Sequence, residues 1–214
     1  MNYYAYNVRA RAGAISAHMV GGKIPAGIRV PAGVYRTEML ADHVATLEQA
    51  AKDGSVVAFE FLLEPVLEPG YRLACGMLHD PQAAEDAVQE AAFKAWRKLG
   101  QLRPGQGLRP WFLGIVANEC RTMRRSRWWS VVKWATFEQP TDTASDSLIT
   151  GMELRRALRA LDEDKRLVLV LHWYLDLPLE EISIITHCSV HAAESRLHRG
   201  MHELKRRMEG RDAE

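Results

Sequence analysis

Cysteine is scarce in this chain of 214 residues: Cys75, Cys120 and Cys188 stand far apart. Their number is odd and no CxxC pair exists, which argues against a disulfide framework and a cysteine-rich zinc site. A reducing compartment, the cytoplasm, is the expected setting. Long apolar runs are missing too. Nothing approaches the length of a membrane-spanning helix, and the N-terminus lacks the charged-then-apolar layout of a secretory leader, so no membrane insertion is expected. Strand-like alternation and fixed-period repeats are absent, which leaves an all-α fold. The chain carries no nucleophile elbow, P-loop or dinucleotide-binding glycine motif. It is therefore expected not to be an enzyme and to need no cofactor. Net charge is only +1 and by itself selects no partner.

The charge is sorted into blocks. Arg121 to Lys133 (RTMRRSRWWSVVK) holds four arginines and one lysine with no acid, whereas Asp80 to Glu90 (DPQAAEDAVQE) holds four acids and no base. Glu138 to Glu153 is acidic again. Such a chain can meet nucleic acid with one face and a basic protein surface with another.

The most informative stretch is Leu179 to Met208. Leu179, Ile182 and Ile185 lie close to one helical face, Thr186 to Ser189 breaks the pattern, and Ser189 is placed to cap a second helix. That helix keeps Val190, Ala193, Leu197, Met201, Leu204 and Met208 on one side. Its other side carries Ser195, Arg196, His198, Arg199 and His202. An apolar back with a hydroxyl-and-guanidinium front suits the recognition helix of a helix-turn-helix in the DNA major groove. A solvated amphipathic surface helix is the plainer reading of the same pattern. His187, Cys188 and His191, or His198 and His202 at i, i+4, could approach a metal. Without a fitting carboxylate or second cysteine they read better as turn and DNA-facing residues, and no metal is expected.

Upstream, residues 1–37 are rich in glycine, alanine and arginine without a sustained period and read as a flexible N-terminal extension. A helix is expected from Glu38. Asp53-Gly54-Ser55 then stops it and caps the next, which Pro65 and Pro69-Gly70 are expected to kink or end. Asp80-Pro81 starts another helix to about Lys98, with alanines, Val88 and Trp96 inward and Asp86, Gln89, Glu90 and Lys94 outward. Acids early in that helix also suit its dipole without further function. Gln101 to Pro110 is a loop, and Trp111 to Arg127 a helix with Phe112, Ile115, Val116 and Cys120 inward. Gln139 to Ser147 is the best linker in the chain. Helices at 148–158 and 162–175 precede the pair described first. Four segments result: the extension 1–37, a helical domain 38–128, a linker 129–150 and a second helical domain 151–210.

At this point the residues carry a family likeness. HDPQAAEDAVQEAAFKAWRKL at 79–99, LRPWFLGIVANECRTMRRSR at 108–127, ALRALDEDKRLVLVLHWYLDLPLEEIS at 157–183 and SRLHRGMHELKRRM at 195–208 follow in order across an acidic linker. The stretch from about Phe59 to Met208 resembles an alternative bacterial sigma factor of the extracytoplasmic-function group of the sigma-70 family. The resemblance implies a factor that binds core RNA polymerase, through the β′ clamp coiled coil and the β subunit, and directs promoter recognition, strand opening and initiation. By it, Asp86, Gln89 and Glu90 dock on polymerase. Arg109, Trp111, Asn118, Arg121, Arg124 and Arg125 handle the −10 element as an opened strand, with Trp111 weighed as core rather than as a stacking platform. Ser195, Arg196, His198 and Arg199 read the −35 element as duplex. An anti-sigma factor is an expected partner, and the Trp128, Trp129, Trp134 and Phe137 cluster either docks it or packs within the chain. His187, His191 and Glu194 depart from the family pattern, so its −35 sequence does not carry over. Two rival readings are a self-sufficient helix-turn-helix repressor or activator that dimerises on a palindrome, and an adaptor that binds polymerase or another protein and touches DNA weakly; a plain repressor has no use for the acidic helix followed by the basic-aromatic one.

Overall fold

In the computed structural model the residues described are 37–103, 105–131 and 146–209. All regular structure among them is helical. The N-terminal extension, most of the linker expected at 129–150, and the side chains of Trp128, Trp129, Trp134 and Phe137 lie outside the described residues.

Local chemistry sets the boundaries of the first half. Helix α1 (Thr37–Lys52) ends at Asp53-Gly54, where Gly54 adopts a φ of 98° that a side chain would resist. Ser55 then caps α2 (Val56–Leu78), its hydroxyl accepting from the Ala58 N–H at 3.3 Å. Contrary to the expectation of a kink or stop, α2 runs unbroken through Pro65 and Pro69. The two prolines are four residues apart, on one face. The carbonyls they orphan, of Phe61 and Pro65, belong to exposed residues, so water can replace the lost helix bonds. Leu62, Leu63, Val66, Leu73, Ala74 and Met77 form the buried side.

His79, with a left-handed φ of 55°, ends α2 and donates its N–H to the Cys75 carbonyl. Asp80 then caps α3 (Pro81–Lys98) by accepting from the Gln82 and Ala83 amides at 3.0 and 3.1 Å. The inward face of α3 is Ala83, Ala84, Ala87, Val88, Ala91, Ala92 and Ala95, small enough for close helix packing. Trp96 meets Phe59 edge-on, with ring centroids 5.1 Å apart. A 3₁₀ turn, Leu99–Gln101, leads to α4 (Leu108–Val131). This helix begins earlier than the sequence suggested, because Pro110 falls in its first turn, where the missing N–H costs nothing. Gly70 lets α2 approach it: a Cβ there would lie 2.9 Å from Phe112 Cε1.

The second half contains α5 (Asp146–Arg159), α6 (Glu163–Leu169), α7 (Leu179–Ile185) and α8 (Val190–Glu209). The single helix expected at 162–175 is instead α6 followed by a wider π turn, Val170–Tyr174, closed by the Leu175 N–H on the Val170 carbonyl. Arg166 is fully buried. It donates to the carbonyls of Leu158, Arg159 and Leu161, which close the end of α5, and to that of Met77 in the other half. Gly200 seats α8 on α6, where a Cβ would lie 3.3 Å from Leu169 Cδ1 and Lys165 Cβ.

The sequence did not reveal that the two halves pack together. Val170 lies against Gly76 of α2, Ile185 lies beside Gly114 of α4, and buried residues from both halves form one apolar cluster.

Candidate nucleic-acid interface

The turn between α7 and α8 is a Schellman closure. His187 N–H reaches the Ile184 carbonyl at 3.3 Å and Cys188 N–H reaches the Ser183 carbonyl at 3.0 Å, with His187 at a φ of 53°. Ser189 Oγ then accepts from the Ala192 N–H at 3.2 Å, the cap expected of it. Along α8, Ala193, Gly200 and Leu204 are buried, and Leu197 and Met208 half-buried. Val190 and Met201, expected inward, are 40% and 36% exposed because the contact stripe centres on Ala193, Gly200 and Leu204 and leaves both at its edge. On the outer side His198 and Arg199 are exposed and Ser195 and Arg196 half-buried. Arg199 Nε folds back onto the Ser195 carbonyl at 3.1 Å. Glu203 anchors this helix: it accepts from Lys165 and Arg207 at 2.7 Å each, and these bonds hold its carboxyl down at about 2.

On α3, Asp86 and Glu90 are exposed and Gln89 half-buried. Glu90 lies 3.4 Å from Lys94, whose ammonium also donates to the buried Glu119 of α4 at 2.7 Å. That bond to Glu119 raises the Lys94 pKa. Among the expected strand-handling residues, Asn118 and Arg125 are exposed, and Trp111 is half-buried against the core.

The arginines of α4 do not all face outward. Arg121 Nη2 lies 2.7 Å from Asp164 and its Nε 3.5 Å from Glu163. Arg124 lies 3.9 Å from Glu163, and Arg109 3.9 Å from Glu181. These three acids stand in the first turns of α6 and α7 and were missed in the sequence reading. The hint available was an acid-rich first turn in each short helix, opposite a basic block elsewhere in the chain. Further polar contacts cross between the halves. Arg72 donates to the Tyr174 carbonyl and stacks on its ring at 4.5 Å. Arg159 reaches the His79 carbonyl at 3.4 Å.

The model of the family described as "Sigma-70 region 2" matches residues 62–130, and that described as "Sigma-70, region 4" matches residues 151–204. The chain is 31% identical over 162 residues to the RNA polymerase sigma factor CarQ of Myxococcus xanthus, covering 72% of this chain and 91% of CarQ. It is 29% identical over 127 residues to the ECF RNA polymerase sigma factor EcfG of Rhodopseudomonas palustris, covering 56% and 68%. Among solved structures, the sigma factor RpoE in complex with the anti-sigma factor NepR, from Bartonella quintana, superposes with a TM-score of 0.57 at 25% identity, covering 71% of this chain and 96% of that one. CnrH in complex with the cytosolic domain of CnrY gives 0.61 at 21% identity, covering 79% and 99%, a likeness of fold.

Proposed function

The chain belongs to the extracytoplasmic-function group of the sigma-70 family of RNA polymerase sigma factors, and from that premise we propose how its residues divide the work. It is an alternative sigma factor: it binds core RNA polymerase and directs promoter recognition and initiation. Residues 38–128 form the unit that holds polymerase and opens the −10 element. Residues 151–210 read the −35 element, with 129–150 as tether and 1–37 as an extension. Asp86, Gln89 and Glu90 dock on the β′ coiled coil, an acidic patch meeting a basic one. Arg109, Asn118, Arg121, Arg124 and Arg125 neutralise the opened strand, whose phosphates need cations, while Trp111, packed against the core, supports the helix that carries them. Ser195, Arg196, His198 and Arg199 contact base edges and phosphates in the major groove.

One observation carries this division: an exposed acidic face on α3 precedes a helix rich in arginine and a capped helix-turn-helix. Polymerase fixes both units at promoter spacing, so two weak DNA contacts act as one strong contact. Bond making in RNA stays with the polymerase, and the protein has no chemistry of its own. It works in the cytoplasm beside that enzyme. An anti-sigma partner is inferred as well, supported by the complex of RpoE with NepR.

Run-off transcription with core polymerase on genomic promoter fragments is the test. New start sites are expected with the native chain and none with the doubly reversed Asp86→Lys, Glu90→Lys variant, which should keep its helicity but fail to co-elute with polymerase. Initiation by that variant at native levels would remove the docking role.

A further inference from the structure

We propose that Glu194 determines base specificity at the −35 element, by accepting a hydrogen bond from the exocyclic amine of a cytosine in the major groove. The inference rests on the −35 reading of α8 above and names one base that the helix selects. Helix α8 carries three acids, Glu194, Glu203 and Glu209. Two of them are held by cations: Glu203 accepts from Lys165 and Arg207 at 2.7 Å each, and Glu209 lies 3.5 Å from Lys205. Glu194 pairs with no lysine or arginine among the described residues. Its ionic contact is with His191, whose Nδ1 lies 3.8 Å away, and 63% of its side chain is exposed. The helix dipole does not account for it either, because Glu194 lies beyond the first turn of α8, where acids are favoured. It adjoins Ser195 and precedes His198 by one turn, in the N-terminal part of the helix that a helix-turn-helix directs at base edges.

A carboxylate in that place can only accept. Phosphates repel it, and so do guanine O6 and N7 and thymine O4. Adenine offers N6 as a donor but sets the N7 lone pair beside it, against the second carboxylate oxygen. Cytosine N4 has no acceptor next to it on its own edge, so cytosine is the base that satisfies Glu194. Once the groove closes over it, a carboxylate without a donor is costly, and the wrong base is actively rejected. An amide at the same position selects differently, since glutamine accepts from N6 and donates to N7 of adenine.

The experiment uses holoenzyme assembled from core RNA polymerase and the full chain, mixed with duplex promoter DNA randomised across the −35 element. Bound molecules are separated by gel shift and sequenced. The native chain should enrich cytosine at one position about tenfold over the other three bases. Glu194→Gln should move that position to adenine, and Glu194→Ala should accept all four bases there, with the neighbouring positions unchanged. A cytosine preference that survives in both variants would overturn the role of Glu194 and leave the −35 reading of α8 standing. Uniformly tighter binding by Glu194→Ala with an unchanged base profile would overturn it too, as the mark of a carboxylate that only repels phosphates. Ser195→Ala and Arg199→Ala test the reading beneath: if both leave the whole profile unchanged, α8 does not read the element and the inference falls with it.

Discussion

His187 holds the turn between α7 and α8 in a left-handed conformation, with a φ of 53°. An L-residue resists that geometry by about 1–2 kcal/mol, whereas glycine does not. The exposed His187 side chain makes no contact that the turn needs, since the Schellman bonds are made by backbone groups. His187→Gly is therefore expected to stabilise the chain by about 1 kcal/mol, read as a higher urea midpoint with an unchanged slope. His79 shares the left-handed geometry but has a different role. Burial first, then the charges of Arg159, Arg166, Arg124 and Arg155, lower its pKa from 6.5 to about 4. The closed packing thus favours neutral His79. Its contribution is whole above pH 6.5 and is lost as pH falls through about 4. Small-angle scattering should show the chain expanding over that window. His79→Asn keeps a residue tolerant of the backbone and should flatten the response.

Helices record most clearly what was legible. Ser55, Asp80 and Ser189 were readable as caps because capping is settled within a few residues. The prolines of α2 misled because whether water can reach the orphaned carbonyls depends on which face the fold leaves outside. Val190 and Met201 fit the apolar period but sit at the edge of a stripe whose centre Gly200 sets, and glycine gives no hydrophobic signal. The pairing of Arg121 with Asp164 spans 43 positions, beyond any local pattern. The candidate residues themselves were legible through motif order, while their engagement by acids of the other half was not. Gly70 yields the prediction at this scale. Any side chain there meets Phe112, with the first carbon already at 2.9 Å. Gly70→Leu should cost about 1–3 kcal/mol by overpacking, more than its gain in helix propensity. Chemical denaturation of the variant checks it.

For the molecule as a whole, the contact between halves decides how the chain melts. Leu167, Val168, Val170 and Leu171 belong to the same apolar cluster as Leu73, Met77, Phe112 and Val116. Scanning calorimetry of the isolated protein should show one cooperative transition, and Gly76→Leu should split it into two. Two resolved transitions in the native chain would mean that the halves melt independently. The shared cluster also bears on the protein's lifetime in a cell. A chain that lets its halves part with no polymerase at hand wets greasy surface around Val170 and Ile185, inviting proteases and self-association. Supply of this factor should then follow the abundance of its enzyme, with surplus molecules surviving while folded shut and perishing when they gape.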